Sequence, residues 1–385
     1  MGGLSQHENV LAMFHSVSHR QPMTARFVPA RGMSPLPEPL QPRGRAATSN
    51  ASGRFERETR EPFDDGWSET DPAPKQIRTT LIKDSSRTII STNDSPDISF
   101  NRSINPYRGC EHGCIYCYAR PSHAYWGYSA GVDFESVLFF KAGAARLLEQ
   151  QFRKPGYQVE PIVIGANTDA YQPIERQLRL TRSILEVCLR FKHPVSLITK
   201  SAAITRDLDI LSELAELGLV KAAISLTTLD HKLARAMEPR AATPKRRLEA
   251  MEALSKAGVP MTVMTAPVIP GLTDHEIEAL LKASANAGAQ TAGYVLLRLP
   301  LEVRDLFYDW LKKVKPDAAD KVINMVRDTR GGADYSSDFH IRGRGEGPIA
   351  EMISKRFRAG VRRYGLQKDR VKLRCDLFER PLDTE

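Results

Sequence analysis

Cysteines are few in this sequence, and long apolar runs are missing. Five cysteines in 385 residues are too sparse, and odd in number, for the disulfide framework of a small secreted domain. No apolar run approaches the roughly 18 residues that a transmembrane helix needs. The first residues also lack the basic start and apolar centre of a secretory signal. We therefore expect a cytoplasmic protein with no membrane association, whose thiols stay reduced.

Length and charge set broad limits on what the chain can be. With 385 residues and a hydrophobic fraction of 41%, it can form one large α/β domain with appendages, or two small domains. The net charge of +9 attracts phosphate polymers, so DNA or another nucleic acid is a candidate partner. A charge of this size is equally compatible with cationic tails that simply stay hydrated.

Composition divides the chain into three parts. Residues 1–75 are rich in Arg and Pro and show little periodicity, which predicts an extended or disordered N-terminal arm. Inside this arm, residues 53–56 and 63–67 carry aromatic side chains and are expected to dock on the domain. Residues 76–330 form the predicted core, and residues 331–385 a basic C-terminal extension.

Apolar strands alternate with amphipathic helices through most of the core. Short strands are predicted in residues 76–105, before the alternation begins. The later predicted strands are 136–140, 161–165, 195–199, 220–226, 260–265 and 293–299. The predicted helices are 142–152, 177–191, 207–217, 244–257, 274–287 and 304–314. Such alternation favours a parallel sheet that is covered by helices and curls toward a barrel.

Three of the five cysteines lie within one short stretch. Cys110, Cys114 and Cys117 are separated by three and then two residues, and Tyr116 stands just before the third. Thiolates so close together suit an iron–sulfur cluster, and three of them leave the fourth iron of a cubane without a protein ligand. A structural zinc usually has four ligands, which His112 or His123 would have to complete.

The residues around these cysteines resemble the sequence pattern of a known family. The C-x3-C-x-aromatic-C pattern, preceded by Asn-Pro-Tyr-Arg-Gly and followed by Tyr-Ala-Arg, resembles the radical S-adenosylmethionine (radical SAM) superfamily, in the branch that includes spore photoproduct lyase. The resemblance implies a partial (βα)6 TIM-type barrel with a [4Fe–4S] cluster on the three cysteines. It also implies that S-adenosyl-L-methionine (SAM) binds the open iron and is cleaved to a 5′-deoxyadenosyl radical. An electron donor of the flavodoxin or ferredoxin type is expected, and DNA photolesions are a candidate substrate.

Polar residues stand where the predicted strands end, which is where parallel α/β barrels bind ligands. By resemblance, the stretch 165–175 occupies the place that holds the amino group of SAM. Lys200, at the end of a buried strand, is expected to meet the SAM carboxylate, because a cation there is costly unless its charge is used. The predicted cofactor contacts are Tyr116, Asn167, Thr168, Asp169, Lys200, Ser225 and Thr227.

Other interpretations remain open at this stage. A radical SAM enzyme can instead modify RNA, a peptide or a small molecule. A non-catalytic iron–sulfur or zinc module that binds nucleic acid through basic tails is the alternative from another class. The aromatic stretch 118–128 is expected to pack in the core, with the floor of a substrate pocket as the alternative. Cys188 and Cys375 are expected to be structural thiols, and the sequence assigns no residue to the step that follows radical formation.

Overall fold

The computed structural model describes residues 44–56, 77–367 and 371–381. The predicted docking segment 63–67 lies outside these residues, as does most of the predicted arm. In the described chain, no helix combines the length and apolar character needed to cross a bilayer.

Ten strands and twelve α-helices are assigned within the described residues. The strands are β1 (Thr80–Lys83), β2 (Ile90–Thr92), β3 (Arg102–Ile104), β4 (Tyr107–Arg108), β5 (Val137–Phe140), β6 (Ile162–Ile164), β7 (Val195–Thr199), β8 (Val220–Ser225), β9 (Met261–Val268) and β10 (Thr291–Leu296). The helices are α1 (Val132–Ser136), α2 (Ala144–Phe152), α3 (Glu175–Leu178), α4 (Leu180–Arg190), α5 (Leu208–Glu216), α6 (His231–Met237), α7 (Pro244–Lys256), α8 (Ile277–Asn286), α9 (Glu302–Val314), α10 (Ala319–Asp328), α11 (Ile341–Arg344) and α12 (Gly347–Arg363).

Six parallel strands form the barrel sheet, in the order β3, β6, β7, β8, β9, β10. β2 extends one edge of this sheet in the antiparallel sense. The short run Ile162–Ile164 is buried along its whole length, as expected for a parallel strand covered on both faces. The predicted partial TIM-type barrel is therefore confirmed.

The first strand of the barrel sheet is not the one that was predicted. Residues 137–140 do form a strand, β5, but β5 pairs with β1 and β4 in a separate three-stranded sheet. The first barrel strand is β3, which lies before the cysteines and pairs with β6. An apolar run shows that a strand forms, but its pairing partner depends on contacts distant in sequence.

The chain after α12 crosses the amino-terminal edge of the barrel. Gln367 bridges to Thr291, the first residue of β10, and the backbone N–H of Arg374 donates to Gly218, just before β8. Phe378 packs against Phe191, which precedes β7. The end of the predicted basic extension thus lies at the edge opposite the strand exits.

The N-terminal segment 44–56 contains no regular helix or strand, yet it is attached to the domain. Ala46 and Ala47 are fully buried. The Phe55 ring stacks on Tyr125 with 5.2 Å between ring centroids. Part of the predicted arm therefore packs beside the segment that carries the cysteines.

Candidate active site

The cysteine loop, residues 105–118, connects β3 through β4 to a 3-10 helix at Arg120–Trp126. Two glycines with positive φ let this loop approach its neighbours closely. A Cβ at Gly109 would lie 2.9 Å from the Val137 carbonyl oxygen, and one at Gly113 would lie 2.7 Å from Oε2 of Glu135. A side chain at either glycine would push the loop away from α1 and β5.

The three cysteine thiols of the loop share one environment. Cys110 and Cys114 are each 7% exposed, and Cys117 is half-buried. Burial raises the pKa of the Cys110 and Cys114 thiols, and the neighbouring cysteines raise it further, whereas Lys200 opposes the rise at Cys114. Three mutually interacting sulfurs in one buried loop match the donor set of a [4Fe–4S] cluster that leaves one iron open.

Neither of the other two cysteines belongs to this loop. Cys188 lies in α4 and is fully buried in the main core, as predicted. Cys375 lies in the C-terminal segment, with Sγ 3.8 Å from the Leu373 carbonyl oxygen. The loop therefore draws its thiols from residues close together in the sequence.

The two histidines considered as zinc ligands have different surroundings. His123 packs between aromatic rings, Tyr128 and Phe134 among them, and burial lowers its pKa to about 4. Nδ1 of His112 lies 3.3 Å from Oδ2 of Asp169. Among the described residues, no three His, Cys, Asp or Glu side chains are arranged to hold a single metal ion.

A fully buried ion pair braces the cysteine loop from behind. Arg120 and Glu135 are both completely excluded from solvent and contact each other directly. The Arg120 guanidinium also donates to the Cys114 carbonyl at 2.9 Å. The Glu135 carboxylate accepts from the backbone N–H groups of Ala46 and Ala47 at 3.1 and 3.0 Å. The loop and the N-terminal segment are thus tied to one desolvated pair.

A second buried network holds the aromatic residue of the cysteine motif. The Tyr116 hydroxyl donates to Glu238, which is 2% exposed and also pairs with Arg247. The Thr227 hydroxyl donates to the same carboxylate at 2.9 Å, and the Ser225 carbonyl accepts from Arg247 at 3.0 Å. Thr227, predicted as a cofactor contact, therefore has its hydroxyl engaged within the protein.

Asp169 ties the end of β7 to the cysteine loop through its carboxylate. Oδ1 accepts from the Thr199 hydroxyl and Oδ2 from the Lys200 backbone N–H, each at 2.7 Å. Although burial acts to raise it, the pKa of Asp169 is held well below its usual range by His112 and by the hydrogen bonds from Lys200 and Thr199. The ionised carboxylate therefore fixes the exit of β7 against the loop residue His112.

The two residues before Asp169 face different surroundings. The Thr168 hydroxyl is buried and donates to the Tyr107 carbonyl at 2.6 Å. Asn167 is exposed, and its backbone N–H donates to Oδ1 of Asn105 at 2.9 Å. Of the three residues predicted to hold an ammonium group, Asn167 alone keeps an exposed side chain, because Thr168 and Asp169 are used internally.

Lys200 lies at the carboxyl end of β7 with its ammonium group close to the cysteine loop. Nζ is 5.8 Å from the centre of the Tyr116 ring, a distance at which the ring still attracts a cation. No carboxylate in the described chain forms an ion pair with it. A half-buried cation without a partner is available to an anionic ligand.

The carboxyl edge of the barrel carries the Tyr118 ring beside Arg298, and further aromatic rings are exposed on the 3-10 helix after the cysteine loop. Tyr118, directly after Cys117, is 45% exposed, and Tyr125 and Trp126 are 51% and 42% exposed. The prediction that these aromatics belong to the core is therefore wrong. The Arg298 guanidinium lies 5.2 Å from the centre of the Tyr118 ring, and its buried Nε has no hydrogen-bond acceptor in the described chain.

Several residues that shape the site were not predicted from the sequence. Arg120 pairs with Glu135, 15 positions away, and Glu238 contacts Arg247 and Tyr116, 9 and 122 positions away. The sequence offered two signals without a role: Arg120 ends the Tyr-Ala-Arg stretch after the cysteines, and Glu238 begins a Glu-Pro-Arg stretch at 238–240. The structure gives Glu238 its partners and pairs Arg240 with Glu111 at 2.9 Å.

The chain is similar to a known superfamily and to proteins of other organisms. A family model described as the radical SAM superfamily matches residues 104–283, a span that includes the cysteine loop and Lys200. An uncharacterized protein of Mycobacterium tuberculosis is 34% identical over 232 residues, covering 60% of this chain and 68% of its own. An uncharacterized protein of Methanocaldococcus jannaschii is 28% identical over 173 residues, covering 45% of this chain and 62% of its own.

Solved structures share the fold. Spore photoproduct lyase complexed with dinucleoside spore photoproduct superposes with a TM-score of 0.51 at 14% sequence identity, covering 74% of this chain and 79% of that one. A cysteine-to-serine mutant of the same enzyme gives a TM-score of 0.51 at 15% identity, with the same coverage. At this identity the similarity concerns the fold.

Proposed function

The chain belongs to the radical SAM superfamily of enzymes, and we propose that it reductively cleaves SAM at a [4Fe–4S] cluster bound by Cys110, Cys114 and Cys117. The observation that carries this proposal is three interacting thiols in one loop, two buried and one half-buried, next to the Lys200 ammonium group, which forms no ion pair within the described residues. The cluster, when bound, supplies the electron that splits SAM into methionine and a 5′-deoxyadenosyl radical.

The residues around the thiols have distinct proposed roles toward SAM. Lys200 binds its carboxylate, since an ion pair offsets the cost of a half-buried cation. Asn167 offers an exposed amide oxygen to its amino group. Tyr116, anchored by Glu238, presents its ring beside Lys200.

The remaining predicted contacts are proposed to act on the ribose side or through other groups. Ser225, the last residue of β8, is proposed to contact the ribose. Thr227 acts by orienting Glu238. Thr168 and Asp169 position the loop backbone and the end of β7 rather than touching the cofactor.

Replacing Lys200 with methionine should weaken SAM binding and leave the iron content unchanged. Removing one partner of a desolvated charge pair costs about 2–5 kcal/mol of binding free energy, which is roughly a 30-fold or larger rise in Kd. Anaerobic calorimetry on the reconstituted variant measures it. Lys256→Met, at a residue whose side chain is 74% exposed on α7, is the matched control. Equal SAM affinity in both variants would assign Lys200 a structural role.

Thymine-type lesions in DNA are the substrate we propose for the radical. Three features support this choice: the fold shared with an enzyme solved in complex with dinucleoside spore photoproduct, the net charge of +9, and the pairing of Arg298 with the exposed Tyr118 ring at the barrel mouth. Guanidinium groups bind phosphate, and exposed rings stack on bases lifted out of the helix.

The location of a basic residue determines whether it can contact the phosphate of DNA bound near the thiols. Arg374, in the described part of the segment after α12, lies at the amino-terminal edge, while the thiols lie at the carboxyl edge. Strands of five or six residues separate the two edges by roughly 15–20 Å. Arg298 therefore replaces the end of the C-terminal extension as the proposed phosphate contact.

One anaerobic assay tests the reaction and the substrate separately. Reconstituted protein, SAM and dithionite should form 5′-deoxyadenosine. Adding irradiated oligonucleotides should increase its formation over unirradiated ones, with a steep decrease as salt rises. Absence of 5′-deoxyadenosine under all conditions would favour the non-catalytic metal-binding module.

Equal product with both DNA samples would instead leave radical SAM chemistry intact and reject the lesion. The substrate would then be sought among RNA, peptides and small molecules. Transfer of deuterium from a labelled candidate into 5′-deoxyadenosine identifies it, because the radical abstracts hydrogen from the substrate.

A further inference from the structure

A cavity of about 590 Å³ lies between the cysteine loop and the segments that follow β6, β7 and β8. We call it the arginine cavity, because four arginines line it. Its lining includes His112, Arg176, Ser201, Arg206, Arg240 and Arg246. His112 is 2% exposed, so the cavity reaches down to a buried residue of the loop.

In two ion pairs at the arginine cavity, the arginine is more exposed than its carboxylate partner. Arg240 pairs with Glu111, and Arg206 pairs with Glu175, at 2.9 and 3.0 Å. The arginine side chains are 33% and 24% exposed, whereas the two carboxylates are only 4% and 1% exposed. No Asp or Glu is among the described residues that line the cavity. Arg206 and Arg240 therefore present guanidinium groups while their counter-charges lie beneath the surface, whereas Arg246 pairs with the exposed Glu249 at 3.0 Å.

This cavity is separate from the space proposed for SAM. Its lining contains none of the three cysteines and neither Tyr116 nor Lys200. The cysteine loop reaches it through His112, which stands two residues from Cys110 and two from Cys114. A protein seated on the cavity would thus contact the cysteine loop between two of its thiols, on a surface lined by none of the residues proposed to hold SAM.

We propose that the arginine cavity is the docking site of a flavodoxin-type electron donor with an acidic surface around its flavin. The inference rests on the proposed function, which requires one electron for each SAM cleaved. The flavodoxin hydroquinone gives up that electron to the cluster and becomes the semiquinone. The concave shape admits the edge of a planar flavin, and charge complementarity orients the encounter.

Charge reversal at the rim of the cavity tests the proposal. Arg176 and Arg246 are both exposed, and neither belongs to a buried ion pair. The Arg176→Glu/Arg246→Glu variant should have a higher KM for flavodoxin. At flavodoxin concentrations below the KM, its rate of 5′-deoxyadenosine formation should therefore be about tenfold or more lower than that of wild type. The dithionite-driven rate should stay within about twofold of wild type, because dithionite is small and needs no docking surface.

A matched control carries the same change of charge elsewhere. Arg358→Glu/Arg362→Glu alters two exposed arginines of α12, a helix that contributes no residue to the cavity lining, and should leave both rates unchanged. Equal losses of the flavodoxin-driven rate in the two double variants would overturn the proposal, since only net charge would then matter. An unchanged rate in the cavity variant would overturn it as well.

Direct binding provides a readout that does not depend on catalysis. Wild-type holoenzyme is titrated into oxidised flavodoxin, and binding is followed by flavin fluorescence. Binding should weaken as salt rises. The Kd of the cavity variant should be about tenfold or more higher than that of wild type. Absence of binding to wild type would reject the docking site. If wild type binds flavodoxin but dithionite yields no 5′-deoxyadenosine, the proposed function fails while the docking surface stands.

Discussion

A Cys114→Ala variant should retain no [4Fe–4S] cluster after anaerobic reconstitution and should form no 5′-deoxyadenosine above background. Cys114 is one of three thiols that share the buried loop, and two remaining sulfurs are too few to hold a cubane with one open iron. Iron analysis, the absorbance of the cluster and product formation measure the loss.

The control for this variant removes the two thiols outside the loop. Cys188→Ala/Cys375→Ala should keep about four irons per chain, the content of one cubane, because one thiol lies in the main core and the other in the C-terminal segment. A cluster that survives in Cys114→Ala, or that disappears in the double variant, would contradict the proposed ligand set.

The second large effect concerns the ion pair behind the loop. Arg120→Met should lower the free energy of unfolding by about 3–5 kcal/mol, because it removes the guanidinium that contacts the buried Glu135 carboxylate directly. It also removes the donor to the Cys114 carbonyl, so the variant should lose its cluster faster than wild type. Urea titration of protein prepared without iron separates the stability of the fold from that of the cluster.

An exposed pair supplies the comparison for Arg120. Lys256 and Glu252 lie on the surface of α7 with side chains 74% and 54% exposed. Lys256→Met should change the free energy of unfolding by less than about 1 kcal/mol. A loss of similar size in both variants would mean that Glu135 is reached by water after the substitution, and that the brace is weaker than its burial indicates.

Local patterns were sufficient for most elements of the fold. The apolar runs that became β6 to β10 and the amphipathic segments that became α5, α7, α8 and α9 follow periods of two and 3.6 residues. The local sequence did not show which sheet each strand joins. β5 has the composition of a barrel strand, yet it pairs with β1 and β4, whereas the less obvious β3 opens the barrel.

The long helix α12 was also missed. Its sequence contains two glycines, which lower its intrinsic helix propensity. Its stability comes from packing, since Phe357 lies 4.7 Å from the Tyr294 ring of β10, measured between ring centroids. Tertiary contacts outweighed local propensity here.

What the sequence by itself determined is the cysteine loop, the alternating strands and helices, and polar residues at the strand exits. These features depend on residues near one another in the chain, so spacing and periodicity reveal them. Only the tertiary structure decided what the side chains at the strand exits contact. Thr168 and Asp169 form hydrogen bonds within the protein, and Lys200 has no counter-charge in the described chain. The end of the basic extension lies at the opposite edge of the barrel. The physical reason is that a buried charge depends on partners from distant segments, and distance along the chain conceals those partners until the barrel has formed.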